Sequence, residues 1–257
     1  MIETFWNICL LHDITTRDQL LREAIRVKRT HRMLEQQQLA DSDITAQPEK
    51  LFQWMKERAL ERELGHFPGD RDLFFRLYHT GKDLDLLEYG VMTIQQDRVT
   101  GGIIVHPANM EWFVERCERR GSRNILIAEA EKYIRGLVET KICERTWNIT
   151  LMTENYIISR LFRAHFEPFA NVHVVLGSIY QPLPLDRAFD DILTIPNFGM
   201  KMNDDDVPVR ESEGAAVSHI LPLLQEGGRL SVTFPARILS HQGDLVVWRR
   251  QMNEQTP

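Results

Sequence analysis

Residues 189–199 read FDDILTIPNFG, an apolar run ending in Ile195, Pro196, Asn197 and Phe198. Aliphatic residues followed by a Pro-Asn turn predict a buried parallel strand and the loop at its carboxyl end. The Asn197 amide is the polar side chain this loop offers. Paired carboxylates, Asp190-Asp191 and Asp204 to Asp206, would suit metal binding or acid-base chemistry. Successive residues of a strand face opposite sides, so Asp190 and Asp191 cannot form one site. The nine histidines show no HxH or HExxH spacing, and Cys9, Cys117 and Cys143 show no ligand spacing, so no metal is expected. Neither a nucleophile elbow nor a GxxxxGK[ST] phosphate loop occurs, which leaves hydrolase and NTPase readings without support.

These residues sit in a chain of 257 residues with 43% hydrophobic content, enough for one large domain or a domain with a helical appendage. The 37 acidic and 31 basic side chains give a net charge of -6, and no Lys/Arg-rich run stands out. Nucleic-acid binding is therefore not favoured by charge. The amino terminus has no basic start or small-residue cleavage site, and no apolar run approaches the ~18 residues of a membrane span. A cytoplasmic protein with core thiols and no membrane partner is the expectation.

The elements that must position the loop follow from periodicity. Leu20, Leu21, Ala24, Ile25, Val27 and Leu34 form one amphipathic stripe, and Leu51, Trp54, Met55, Ala59 and Leu60 another, with a break at residues 41–48. Residues 73–78 predict one more short helix, and the region 1–80 is expected to be helical. The β-branched segment 89–107 fits a β-hairpin or a long extended loop. Beyond it, strands are predicted at 124–128, 148–152, 172–176, 191–194 and 229–234, alternating with helices at 130–138, 156–166 and 215–224. Such alternation predicts an α/β domain over 81–257 with a doubly wound, mostly parallel sheet. The acidic stretch NDDDVPVRESE, residues 203–213, fits a solvated connector.

In order, these blocks resemble the S-adenosylmethionine-dependent amino-methyltransferases of the N6-adenine type. The match is nearest to the core of type I restriction-modification modification subunits and spans about residues 70–250. GGIIVHPANMEWF at 101–113 resembles that family's GEFYTP segment and keeps Pro107. GSRNILIAEAEKY at 121–133 occupies the place of VLDPACGSGGFL, and IPNF that of NPPF. AAVSHILPLLQEGGRLSVTFPARILSHQG at 215–243 is similar to the family's helix, Gly-Gly turn (Gly227, Gly228), strand and VLPxGxL loop, with Pro235 holding the proline. The resemblance implies a Rossmann-like class I methyltransferase fold with an N-terminal helical region.

It also implies roles. In the family the Asn side chain and a Pro carbonyl of NPPF grip the amino group to be methylated, whose lone pair is delocalised into a ring and needs preorganised acceptors. The aromatic of that motif stacks on the extruded base. Carried over, Pro196, Asn197 and Phe198 are the catalytic candidates, although Ile195 stands where the family has Asn, and Asn197 would serve only if the loop were re-routed by two residues. The cofactor candidates are Pro107, Ala128, Glu129, Glu154 and Ser178. Glu154 stands within about a residue of the family's ribose-binding acid. Ser178 replaces the Asp that meets the adenine amino group, as a weaker hydrogen-bonding residue or as a bare turn. The glycine-rich turn over the methionine part of the cofactor is replaced by Glu129, Ala130, Glu131, Lys132 and Tyr133.

Losses at 129–133, Ser178 and Ile195 imply an eroded methyltransferase, a pseudoenzyme working as a binding or accessory subunit. The alternative is an active S-adenosylmethionine-dependent enzyme acting on an amino group of a small molecule, protein or nucleic acid, with Glu154 on the ribose. The cofactor is S-adenosylmethionine if the seat functions and none otherwise. The family continues past the point where this chain stops at Pro257. Either the sheet is shortened, with residues 245–248 as its last strand or helix, or an exposed edge is covered by 89–107 or a second chain, so a homodimer or a protein partner is expected.

Overall fold

The computed structural model describes residues 1–58, 60–96, 103–181, 183, 188–200 and 212–236. The chain packs as two compact units, Met1–Ile104 with Arg160–Pro168, and Val105–Ser159 with Phe169–Pro257.

The first unit is helical: α1 (Ile2–Leu10), α2 (Arg17–Gln36), α3 (Asp43–Ala46), α4 (Pro48–Glu57), α5 (Leu60–Leu64), α6 (Arg71–Gly81) and α7 (Leu86–Gln96). Thr16 starts α2 with a capping box, its hydroxyl accepting from the Gln19 N–H while the Gln19 side chain accepts from the Thr16 N–H. All six residues of the α2 stripe are buried, as their spacing predicts. Leu51, Trp54, Met55 and Leu60 are buried too, whereas Ala59 lies outside the described residues. Ser42 caps α3 and Pro48 opens α4, a position where a missing N–H costs no helical bond. Inside this unit Arg26, fully buried, pairs with Glu23 at 2.7 Å and donates to the Gly65 carbonyl at 2.9 Å.

Over 89–96, the hairpin or extended loop expected for 89–107 is replaced by α7. Asp85 accepts from the N–H groups of Leu87 and Glu88 and starts the helix. Leu86, Leu87, Tyr89, Gly90, Thr93 and Ile94 are buried along it. Burial at helical spacing overrides β-branched composition. Residues 97–102 lie outside the described set. No described helix is long and apolar enough to cross a membrane.

The second unit opens with α8 (Ala108–Arg120) and continues through β1 (Asn124–Ala128), a 3₁₀ turn (Ala130–Tyr133), α9 (Ile134–Thr140) and β2 (Asn148–Thr153). After α10 (Tyr156–Phe166), which passes into the helical unit from Arg160, come β3 (Val172–Leu176), β4 (Phe189–Thr194), α11 (Ser212–Ile220) and β5 (Leu224–Val232). The strand order is β3-β2-β1-β4-β5 and every adjacent pair is parallel. The apolar runs of β1, β2 and β4 are almost wholly buried, as strands covered on both faces require. The order reverses direction between β1 and β4, which places the ligand crevice of such a sheet outside the carboxyl ends of those two strands.

Asp190 and Asp191 secure the opposite end. The Asp190 carboxylate accepts from the N–H groups of Arg123 and Asn124, both at 2.7 Å, at the start of β1. Asp191, fully buried, accepts from Ser122 Oγ at 2.5 Å and Arg116 at 3.1 Å. Their partners are separate, as opposite pleats demand.

Three further expectations change. Of the acidic stretch 203–213, Ser212 and Glu213 lie in the first turn of α11 and are buried rather than solvated, while 201–211 lie outside the described residues, as do 245–248. The helix expected over 215–224 tightens at Leu221–Leu223, where Pro222 removes an N–H, and Leu224 already pairs in β5. Gly227 and Gly228 consequently lie within β5, at an irregularity in its pairing with β4 between Phe189 and Asp191, rather than in a turn before it. Gly227 has φ +73° in open space, whereas a Cβ on Gly228 would sit 2.9 Å from the carbonyl oxygens of Gln225 and Phe189. Gly228→Ala is therefore expected to destabilise by about 3 kcal/mol and Gly227→Ala by about 1 kcal/mol. Chemical denaturation of both variants checks the ranking, and an equal or reversed cost contradicts the close approach at Gly228.

Candidate functional site

The parallel register aligns the strand ends. Ile127 lies opposite Leu193, and Ala128 opposite Met152, so Glu129, Glu154, Ser178 and Ile195 all follow the carboxyl edge of the sheet. Glu129 leaves β1 at φ 56°, ψ 44°, a left-handed conformation that favours glycine. It is 3% exposed. The 3₁₀ turn that follows eclipses residues three apart and so returns Lys132 over Glu129.

Lys132 joins the two strand ends. Its Nζ lies 2.7 Å from Glu129 Oε2 and donates to the Ile195 carbonyl at 2.8 Å and to Asn197 Oδ1 at 2.9 Å. The Val105 N–H donates to the Lys132 carbonyl at 2.7 Å, which seats the segment before Pro107 on the same turn. Burial raises the Glu129 carboxyl, the Lys132 ammonium lowers it, and Glu154 raises it again.

A second run of bonds crosses from β2 to β4. Ser178 Oγ donates to Glu154 Oε2 at 3.0 Å and accepts from the Tyr180 N–H at 3.3 Å. The buried Tyr180 hydroxyl accepts from the Asn197 N–H at 2.5 Å. The loop is then tied to α11, where Ser212 Oγ donates to the Asn197 carbonyl at 2.7 Å and Glu213 Oε1 accepts from the Gly199 N–H at 3.1 Å.

Of the candidates read from the sequence, Asn197, Glu129, Glu154 and Ser178 share these bonds. Glu154 is exposed and Ser178 half-buried. Pro196 is buried and Phe198 half-buried in the same loop, Pro107 is buried ahead of α8, and Ala128 packs into the core with Met152, Ile179 and Tyr180. Lys132 and Tyr180 had no assigned role. The Glu129-Lys132 spacing of three was a legible signal for the first, and nothing local pointed to the second. Ile195 also changes meaning, because its backbone carbonyl supplies an acceptor that its side chain cannot. Among the described residues no group of three or more His, Cys, Asp or Glu is placed to hold a metal ion.

Glu131 adds an uncompensated acid. One carboxylate oxygen is buried without a partner, while Thr153 hydrogen-bonds the side chain. Burial first, and the Glu129 carboxylate second, push its carboxyl up to about 7 from 4.5. The folded state then holds a proton that the unfolded chain releases, so stability present below pH 4.5 is lost as pH rises through about 7. Glu131→Gln is expected to flatten this loss, worth on the order of 3 kcal/mol. Denaturation midpoints at pH 5 and pH 8 check it, and parallel pH dependence in the two proteins contradicts it.

No protein-family model matches the sequence, and no curated protein matches it. Solved structures do. A chain from a structure of complex assembly and conformational transition in the type I R-M system aligns at a TM-score of 0.65 and 12% identity, over 97% of this chain and 67% of that one. A Listeria monocytogenes protein named for the class I S-adenosylmethionine-dependent methyltransferases aligns at a TM-score of 0.54 and 12% identity, over 91% of this chain and 79% of its own. At such identity the likeness speaks for the fold. The second unit, a parallel five-stranded sheet with flanking helices, has the Rossmann-like fold of the class I S-adenosylmethionine-dependent methyltransferases.

Proposed function

We propose that this chain is a methyltransferase-fold protein that acts by binding, as an accessory subunit in which ordinary amino-methyl transfer is lost. One observation carries the reading: Asn197 Oδ1, the acceptor that would hold a substrate amino group, already accepts from Lys132 Nζ at 2.9 Å. One of that oxygen's two lone pairs is therefore taken by a charged donor, with which a substrate amino group would have to compete. Removing the ammonium altogether would leave the buried Glu129 carboxylate without its cation, at a cost of about 3–5 kcal/mol.

The cofactor's two ends fare differently. The exposed Glu154 carboxylate, oriented by Ser178, suits a pair of ribose hydroxyls. The methionine end does not fit, because Glu129, in a left-handed conformation that favours glycine, adds a side chain to the turn after β1, and Glu129 and Glu131 together make that turn acidic. The likeness to a chain of a type I R-M assembly supports a protein partner, and a net charge of -6 weighs against nucleic acid. Isothermal titration of the full chain with S-adenosylmethionine is expected to give no binding tighter than about 1 mM. A micromolar dissociation constant overturns this reading.

The Glu154-Ser178 pair favours a second reading, an active enzyme on an amino group with Asn197 or the Pro196 carbonyl near the acceptor and Phe198 beside it. It predicts that Asn197→Ala lowers methyl transfer by about 100-fold or more with cofactor binding unchanged. Methyl transfer equal to that of the unaltered chain removes Asn197 from the mechanism.

A further inference from the structure

Three oxygens surround Lys132 Nζ: Glu129 Oε2 at 2.7 Å, the Ile195 carbonyl at 2.8 Å and Asn197 Oδ1 at 2.9 Å. An ammonium has three N–H donors and no acceptor, so each donor can meet one oxygen and the charge meets one carboxylate. The side chains of Glu129 and Lys132 are 3% and 9% exposed, which removes water as a competing partner. The acceptors come from both sides of the strand reversal and are fixed independently. Glu129 follows β1, and the loop of Ile195 and Asn197 is anchored by Tyr180 and Ser212. A planar aromatic amino group brings only two N–H donors and no charge. It would leave one acceptor empty and Glu129 unneutralised in a buried place.

We infer that the carboxyl end of β4 in this chain is a binding site for a primary alkylammonium, that Lys132 fills it as a built-in ligand, and that it discriminates against the flat amino group of a nucleobase. The inference rests on the proposed placement of the acceptor site at Ile195 to Asn197 but not on whether S-adenosylmethionine binds. Its test uses no cofactor, so the two can fail separately. The site is closed while Lys132 occupies it and opens to an external amine once the lysine stem is removed.

The test is chemical replacement in the full chain carrying Lys132→Ala. Removing the ammonium is expected to lower the melting temperature. With n-propylammonium at about ten times its dissociation constant, the variant should recover by about 3–6 °C. Tetramethylammonium, which has no N–H donor, should give no recovery at equal ionic strength, and n-propylammonium should not shift the unaltered protein. Adding Glu129→Gln to the variant should abolish the recovery. Equal recovery with tetramethylammonium, or greater stabilisation by adenosine than by n-propylammonium, overturns the inference. A second measurement on the unaltered chain serves if Lys132→Ala does not fold. The Lys132 ammonium protons, assigned through the side-chain carbons by NMR, should exchange with water at least about tenfold more slowly than those of the exposed Lys141, a difference corresponding to one net hydrogen bond. Exchange as fast as at Lys141 overturns it.

Discussion

Parallel pairing of β1 with β4 is the constraint on which the candidate site depends, because it brings together two segments 63 to 65 residues apart in the chain. The register sets Ile125 opposite Asp191 and Ile127 opposite Leu193, so the residues two steps further, Glu129 and Ile195, leave the sheet side by side. Asp190 and Asp191 hold that register from the other end through the start of β1, Ser122 and Arg116. A slip of one residue would turn the fully buried Asp191 to the opposite face. The same slip would separate Lys132 from both of its carbonyl acceptors.

Charge in the crevice follows from this geometry. Glu129 and Lys132 are buried as a pair, an arrangement that adds little net stability but fixes one geometry, since either group alone would be stranded away from water. Glu131 has no such partner, and its carboxyl is displaced upward accordingly. Three acids and one lysine therefore crowd the ends of β1 and β2, an environment that holds a cation more readily than an anion. The Tyr180 hydroxyl and Ser212 hold the Asn197 backbone through its N–H and its carbonyl, so the acceptors are set before any ligand arrives.

Much of the sheet unit was legible because its strands are short apolar runs between turn residues. The bounds read for 124–128, 156–166 and 172–176 coincide with β1, α10 and β3. Elsewhere a local signal met a stronger tertiary one. The β-branched residues near Ile94 suggested extension, but burying Tyr89, Thr93 and Ile94 along one helix prevailed. Gly227 and Gly228 suggested a turn, whereas the second of them is needed where β5 passes close to the carbonyl of Phe189. The IPNF loop was visible as a candidate from its residue types, yet the partner of Asn197 was not, since nothing in residues 195–198 points to Lys132.

By itself the sequence determined the strand-helix alternation, the place of the loop after β4 and the presence of acids where a glycine-rich turn would stand. These depend on residue type and short-range spacing, which the chain carries locally. Only the tertiary structure decided that Glu129 adopts a left-handed conformation, that Lys132 reaches the Ile195 carbonyl and Asn197, and that Ser178 turns to Glu154. Those contacts join residues from different strand ends, and parallel pairing, a long-range interaction, is what brings them within hydrogen-bond distance.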